Sequence, residues 1–355
     1  MKKIAAILFG FVILLLAGCG NAQPQDESLA TIVDTILTES HFRGVVLVAQ
    51  GDEIILREAY GIADIISGAE NTVYSPFHLA SITKQFTAAA ILLLEQDGKL
   101  DTYDTLDNFF DLPDTHVTVA HLLAMRGGFS DYTLWMVQLA DNGEFARLLS
   151  LTADDIEAQI LSTRSLLPQA RPLYCNSDYW LLGRIVEQAS GMSYEEFVRT
   201  RLFEPLGMEN SGFGGSAASV APHGIDAIHI DGQNVFDARG WPFHFLYATG
   251  GLVSTVDDLN IWLDAYFGGV LFPPHLLNDM GGQYNYGWGL ANAPIWHHSG
   301  SMFGFHTKII YDRDRDTRII LLSNENRAGF LRLVEGVSEA VLGTRIGHIG
   351  IQAGN

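Results

Sequence analysis

Two pairs of strand signals stand at opposite ends of the chain, and no compact fold can ignore them. "GVVLVAQ" (44–50) and "EIILREAYG" (53–61) are joined by a Gly-Asp hairpin turn. Far downstream, "HTKIIYDRDRDTRIILLSNEN" (306–326) reads as two strands around a charged turn. The stretch between them is mainly helical. The order strands, helices, strands predicts an α+β fold, with one antiparallel sheet built from both ends and a helical region inserted. A chain of 355 residues that is 48% hydrophobic can bury a sizeable core. No repeat, low-complexity tract or Pro/Gly-rich linker divides it.

The helical signals are local and specific. Residues 27–40 carry Leu29, Ile32, Val33 and Ile36 on one stripe. An apolar run from Phe86 to Leu94 follows Ser81. "VTVAHLLAMRGGF" (117–129) starts at a Thr and stops at Gly127-Gly128, and "YWLLGRIVEQASG" (179–191) ends on Gly191. Residues 206–224 are loop-like, rich in Gly and Ser. Helices are expected again over 254–269 and 329–342.

The formal net charge is −20. Nucleic-acid binding, which needs basic surface to displace counterions, is thereby disfavoured, as is charge-driven attachment to anionic membranes. The start, "MKKIAAILFGFVILLLAGCG", has a basic pair, Lys2 and Lys3, and an apolar run from Ile4 to Leu16. That run is shorter than the ~20 residues a spanning helix prefers, and it closes on small residues, as a signal peptide does. "LAGC" resembles a bacterial lipobox, which implies cleavage before Cys19 and lipidation of its thiol. Gly20 after the cysteine resembles an outer-membrane sorting signal of a Gram-negative cell. With Cys19 acylated, Cys175 has no partner in the chain.

Ser81 and Lys84 pose the chemical question. They stand at the mouth of an apolar helix, and residues i and i+3 share a face. The serine can be a helix cap. It can also be a nucleophile, with a desolvated lysine as its base. Lysine is scarce: beyond residue 3 there are only Lys84, Lys99 and Lys308. In "LYCNSDYW", Tyr174 and Asn176 are separated by one residue and face the same way if extended. A tyrosine beside a cation can have its pKa lowered and exchange protons; the alternative is a half-buried Tyr with an Asn turn. In "HHSGSMFGF", His298, Ser299 and Gly300 are expected at a strand end, where Gly lets a ligand approach; the alternative is a buried loop histidine. Gly250-Gly251 permits close approach or makes a plain turn.

Taken together these clusters resemble the serine β-lactamase-like hydrolases, which include class C β-lactamases, D,D-peptidases, D-amino-acid peptidases and esterases. "SITK" resembles their Ser-x-x-Lys motif, "YCN" their Tyr-x-Asn motif, and "HSG" the third motif, usually Lys-Thr-Gly. "YWLLGRIVEQASGMSYEEFV", "LFEPLGMENSGF" and "GGLVSTVDDL" match as connecting phrases. The resemblance implies a β-lactamase/transpeptidase-like fold over residues 29–343. A sheet lobe (about 29–80 and 245–343) would join a helical lobe (about 81–244), with a signal peptide at 1–18, a tether at 19–28 and a tail at 344–355. It implies catalysis by Ser81, Lys84, Tyr174 and His298. It also implies substrate binding by Asn176, Ser299, Gly300 and Ser301, the backbone amides of Ser81 and Ser301 forming an oxyanion hole. The expected substrate is a small molecule or peptide with an ester or amide bond, and no metal or cofactor is required. The expected setting is the bacterial cell envelope, with a lipid anchor as the sole membrane attachment. A D-alanyl-D-alanine carboxypeptidase, a β-lactamase proper and a non-catalytic wall-binding lipoprotein are the alternatives.

The pattern also departs from its relatives. His298 stands where a permanent cation is usual, so carboxylate-bearing substrates lose a partner. Where relatives often read Leu-Leu-x-His-x-Ser-Gly, this chain has "LLAMRGG", and "LLPQARPLYCN" lacks the usual Pro-Gly. Both departures are expected to shape the pocket. Cys175, between Tyr174 and Asn176, is expected side-on to the site, where a thiol reagent would inhibit by crowding.

Overall fold

The structure, a computed structural model, describes residues 27–347 apart from 65–66, 164–166, 214–227, 232–233, 238–242, 273–283, 293, 303 and 327–328. The expected signal peptide, Cys19, all of the tether but Glu27 and Ser28, residues 214–224 of the loop-like stretch and the end of the tail lie outside the described residues.

The main sheet has seven strands: β1 (Gly44–Gln50), β2 (Glu53–Tyr60), β3 (Tyr284–Asn285), β4 (Trp288–Asn292), β5 (Ile295–Met302), β6 (Phe305–Asp312) and β7 (Thr317–Ser323). Their spatial order is β2-β1-β7-β6-β5-β4-β3, antiparallel throughout. The two chain ends therefore meet in the middle of one sheet, where Val46 pairs with Leu321. The helices that frame the site are α1 (Leu29–Glu39), α2 (Thr83–Gln96), α3 (Tyr132–Asp141), α4 (Phe145–Ser150), α5 (Asn176–Ser190), α6 (Val256–Phe267) and α7 (Phe330–Leu342).

Side chains alternate across a strand, and β1 is buried on both faces. Val46 and Val48 turn outward to Val33 and Leu37 of α1 and Leu333 and Val337 of α7. Val45 and Leu47 turn inward to the larger core around α2. Every residue of α2 from Thr83 to Leu94 is buried, which explains why its apolar signal has no polar face. Phe86 stacks on Trp262 of α6, with ring centroids 3.9 Å apart, and Trp262 Nε1 donates to Gln85 Oε1 at 3.0 Å.

The expected elements form, with shifted limits. The helix expected over 117–129 covers only Val119–Leu123. It ends before its glycines because Met125 takes a left-handed φ of 56°. The helix expected from Tyr179 begins earlier, at Asn176.

Candidate active site

Ser81 lies in a single 3-10 turn, Ala80–Ile82, that feeds α2. The N-cap of α2 is Ile82 and no side chain caps it, so the Ser81 hydroxyl is not used as a cap. The turn is held from both sides. Leu79 N donates to Leu252 O at 2.8 Å, and Thr307 Oγ1 on β6 donates to Leu79 O at 2.9 Å. Ala80 takes a φ of 47°, which costs of order 1 kcal/mol and persists because the surroundings impose it. Gly300 on β5 is what lets the sheet come this close: a Cβ there would lie 2.1 Å from Leu79 O. The backbone of Leu79, rather than a ligand, is thus what approaches Gly300.

Lys84 is fully buried one turn further on. Its Nζ lies 3.2 Å from Ser81 Oγ, 2.8 Å from Asn176 Oδ1 and 2.8 Å from the Thr249 carbonyl oxygen. Burial pushes its pKa down to about 7, against the opposing pull of Asp131. Near neutral pH a large fraction of Lys84 is therefore the free amine, able to take a proton.

Tyr174 reaches the same spot. Its phenol is close enough to the Ser81 side chain to be influenced by it, and its ring centroid is 5.1 Å from Lys84 Nζ. A neighbouring cation could acidify this tyrosine; the structure gives the opposite direction. Burial pushes the Tyr174 phenol well up, and the Ser81 side chain only partly offsets it. Tyr174 is a neutral phenol at rest.

Cys175 is extended, with φ −144° and ψ 117°, and Asn176 opens α5, so Tyr174 and Asn176 both face Ser81. Cys175 turns away: its thiol is buried, donates to Phe129 O at 3.4 Å and is held protonated by burial. Its expected exposure to thiol reagents at the site is not borne out.

Asp131 is a residue that motif reading missed. Its Oδ2 accepts from both Asn176 N and Asn176 Nδ2 at 2.9 Å, while Oδ1 caps α3 by accepting from Thr133 N at 2.9 Å. Fixing the Nδ2 end turns the Asn176 amide so that Oδ1 points at Lys84. The available signal was an Asp before a helix, which reads as an ordinary cap.

β5 runs past the site, so His298 and Gly300 lie within a strand rather than at its end. His298 is buried and faces the cleft, its ring 6.4 Å from that of Tyr174. Nδ1 lies 2.7 Å from Ser299 O, which can only accept, so Nδ1 carries the proton. Nε2 is then the acceptor facing the Tyr284 hydroxyl at 3.3 Å. Burial first, and the Lys84 charge second, push His298 down to about 3, so it is neutral. The Ser299 side chain does not join the cluster; it lies 3.0 Å from Lys308 Nζ. Ser301 does, lining the same cavity as Ser81.

That cavity holds about 480 Å³. Ser81, Asn176, Gly250 and Ser301 line one part, and Met136, Leu148, Phe245 and Met302 are among its apolar walls. Of the two unusual phrases expected to shape the pocket, "LLAMRGG" gives no residue to this lining and "LLPQARPLYCN" gives only its last, Asn176. They brace each other instead: Gln169 N donates to Arg126 O and Leu173 N to Met125 O, both at 2.9 Å. Among the described residues no cluster of His, Cys, Asp and Glu could hold a metal ion.

An antiparallel sheet with helices on both faces, and a Ser-x-x-Lys pair facing a Tyr-x-Asn pair, define a class of serine acyl-transfer protein. The chain belongs to the family described as Beta-lactamase, which matches residues 29–340, and it is a serine hydrolase. It is 30% identical over 337 residues to penicillin-binding protein 4* of Bacillus subtilis (strain 168), covering 85% of this chain and 72% of that one. The D-amino acid amidase of Ochrobactrum anthropi SV3, complexed with L-phenylalanine, superposes with a TM-score of 0.76 at 25% identity, over 89% of this chain and 98% of that one. FmtA of Staphylococcus aureus shares the fold, with a TM-score of 0.75 at 17% identity, over 91% and 90% of the two chains.

Proposed function

We propose that the protein cleaves an amide or ester bond through an acyl-enzyme on Ser81, with neutral Lys84 as the base. One observation carries this reading: a buried amine with a pKa of about 7 lies 3.2 Å from a serine hydroxyl that opens on a cavity. The Ser81 proton passes to Lys84 as Oγ bonds to the substrate carbonyl carbon. The backbone N–H groups of Ser81 and Ser301 hold the oxyanion, each worth roughly 3 kcal/mol of barrier. The tetrahedral species then expels the amine or alcohol, which takes the Tyr174 phenol proton, and the proton that Lys84 took from Ser81 goes to Tyr174. Water repeats the sequence in reverse and frees the acid. Asn176, aligned by Asp131, orients the substrate carbonyl group. His298 is a neutral wall of the site and offers a carboxylate no charge.

The similarity to the D-amino acid amidase supports an amide substrate. The lipobox at Cys19 supports a lipid-anchored enzyme of the cell envelope. Among the described residues no helix is long and apolar enough to cross a membrane.

The test uses the protein without residues 1–20. It measures hydrolysis of phenylalanine amide of each hand and of a nitrophenyl ester by wild type and Ser81→Ala, with a chromogenic cephalosporin in parallel. Turnover lost by at least about 10⁴-fold in Ser81→Ala is expected. Equal activity in both proteins overturns the reading. Fast cephalosporin turnover overturns the preference for substrates without a carboxylate.

A further inference from the structure

The cavity at Ser81 has a shape and lining that the catalytic steps do not explain. It runs from Ser81 and Asn176 to α3 and α4, where Met136, Val137 and Leu148 line it. Tyr174, which would protonate the leaving group, is not among its described lining residues. It packs instead against Tyr284, edge to face, at 6.0 Å. The leaving group therefore departs on the Tyr174 side. The acyl half, still bonded to Ser81, needs the space that opens at Ser81 itself.

The lining also has a chemistry. Asp141, at the end of α3, is the one charged side chain among the described lining residues. A substrate carboxylate placed here meets an anion and no cation. Apolar surface dominates elsewhere, and Val137 is 55% exposed, an opening in an otherwise apolar wall. An apolar side chain open to water beside a catalytic serine gains from being covered, and a ligand can cover it.

We infer that this cavity is an acyl subsite for an apolar acyl group that carries no carboxylate, and that Met136 and Leu148 set the length it accepts. The inference rests on the Ser81 reading and adds the substrate class: esters or amides of apolar acids, with no carboxylate on the acyl half.

Direct binding of methyl-, butyl- and octylboronic acid, followed by calorimetry, tests it without needing turnover. Boron accepts the Ser81 oxygen as a carbonyl carbon would, and the alkyl chain takes the acyl position. Each methylene that is buried tightens binding by up to about fourfold. An octyl-to-methyl affinity ratio of at least about 100 is expected. Met136→Trp and Leu148→Trp fill the cavity and should each bring that ratio down by at least about tenfold. Leu148→Ala, which only removes volume, should keep or extend the preference for the long chain. A ratio near one in the wild type overturns the subsite. If methylboronic acid still binds and Ser81→Ala abolishes that binding, the Ser81 reading stands without it. Binding that survives Ser81→Ala, or no binding by any of the three acids, overturns the Ser81 reading as well. An unchanged ratio in both tryptophan variants, each folded by circular dichroism, overturns the assignment of Met136 and Leu148.

Discussion

Lys84 and Lys308 lie in two regions of the molecule that look alike by local chemistry. Both are buried, both are pushed down to about 7 by burial, and each has a serine hydroxyl about a hydrogen bond away. Their surroundings differ. Lys84 belongs to a helix, the Tyr174 ring lies 5.1 Å from its Nζ, and its serine opens on the 480 Å³ cavity. Lys308 belongs to β6 and faces its cross-strand neighbour Ser299. Its Nζ also meets His297 Nδ1 at 2.8 Å and the Gly347 carbonyl at 2.9 Å. The second lysine thus ties the segment after α7 to the sheet. A lysine with a depressed pKa beside a serine is not by itself an active site. Ser299 and Lys308 also line a cavity, of about 230 Å³, so what sets Ser81 apart is the Tyr174 phenol and the Asn176 amide gathered beside it and its lysine.

Substituting each lysine gives the largest effect and can break this contrast outright. Lys84→Met should lower kcat/KM by about 10²- to 10⁴-fold, the usual range for a lost general base. Lys308→Met should retain turnover within about tenfold while changing the thermal midpoint, because it alters a tether and removes a buried amine. The contrast fails if the two variants lose activity equally.

A smaller effect should come from the residue that aims the site. Asp131→Ala frees the Asn176 amide and should lower kcat/KM about 10- to 100-fold. It also removes the cap of α3, at about 1 kcal/mol. Asp131→Asn keeps a capping oxygen and should recover the urea midpoint without recovering all the activity. Restored activity in Asp131→Asn would show that the cap, not the aim, was the whole contribution.

The pH dependence separates the two lysines again. Activity requires the free amine of Lys84, so kcat/KM should rise as pH passes upward through about 7. A profile that peaks below about pH 6 would contradict the assignment. Stability has the same sign. From about pH 7 to about 10 the unfolded chain holds lysine protons that the folded chain has released, so stability rises with pH over that window. Lys308→Met should flatten the rise in urea midpoints while leaving the activity limb in place. The smallest effect expected is none: a thiol reagent should leave native activity unchanged, since Cys175 is buried and protonated, and should label it once urea unfolds the chain.

Much of this was legible before any coordinates. The hairpins at 44–61 and 306–326 and the Thr start at Thr118 depend on neighbours a few residues away, and periodicity and residue type report those. The pairing of Ser81 with Lys84 is likewise a matter of helical spacing. Cys175 was misread because alternation shows which way a side chain points relative to its neighbours, but not what lies there.

The amino-acid sequence by itself determined the α+β order of elements, the family, and the residue types gathered around Ser81. Only the tertiary structure decided that Asp131 aims Asn176, that Gly300 makes room for the Leu79 backbone, that Tyr174 rests as a neutral phenol, and that Tyr174 and Asn176 gather at Ser81 and Lys84 rather than at Ser299 and Lys308. Each of these depends on groups remote in the chain coming within a few ångströms. Desolvation and close packing sum over all such neighbours, whereas a sequence pattern records only the ones nearby along the backbone.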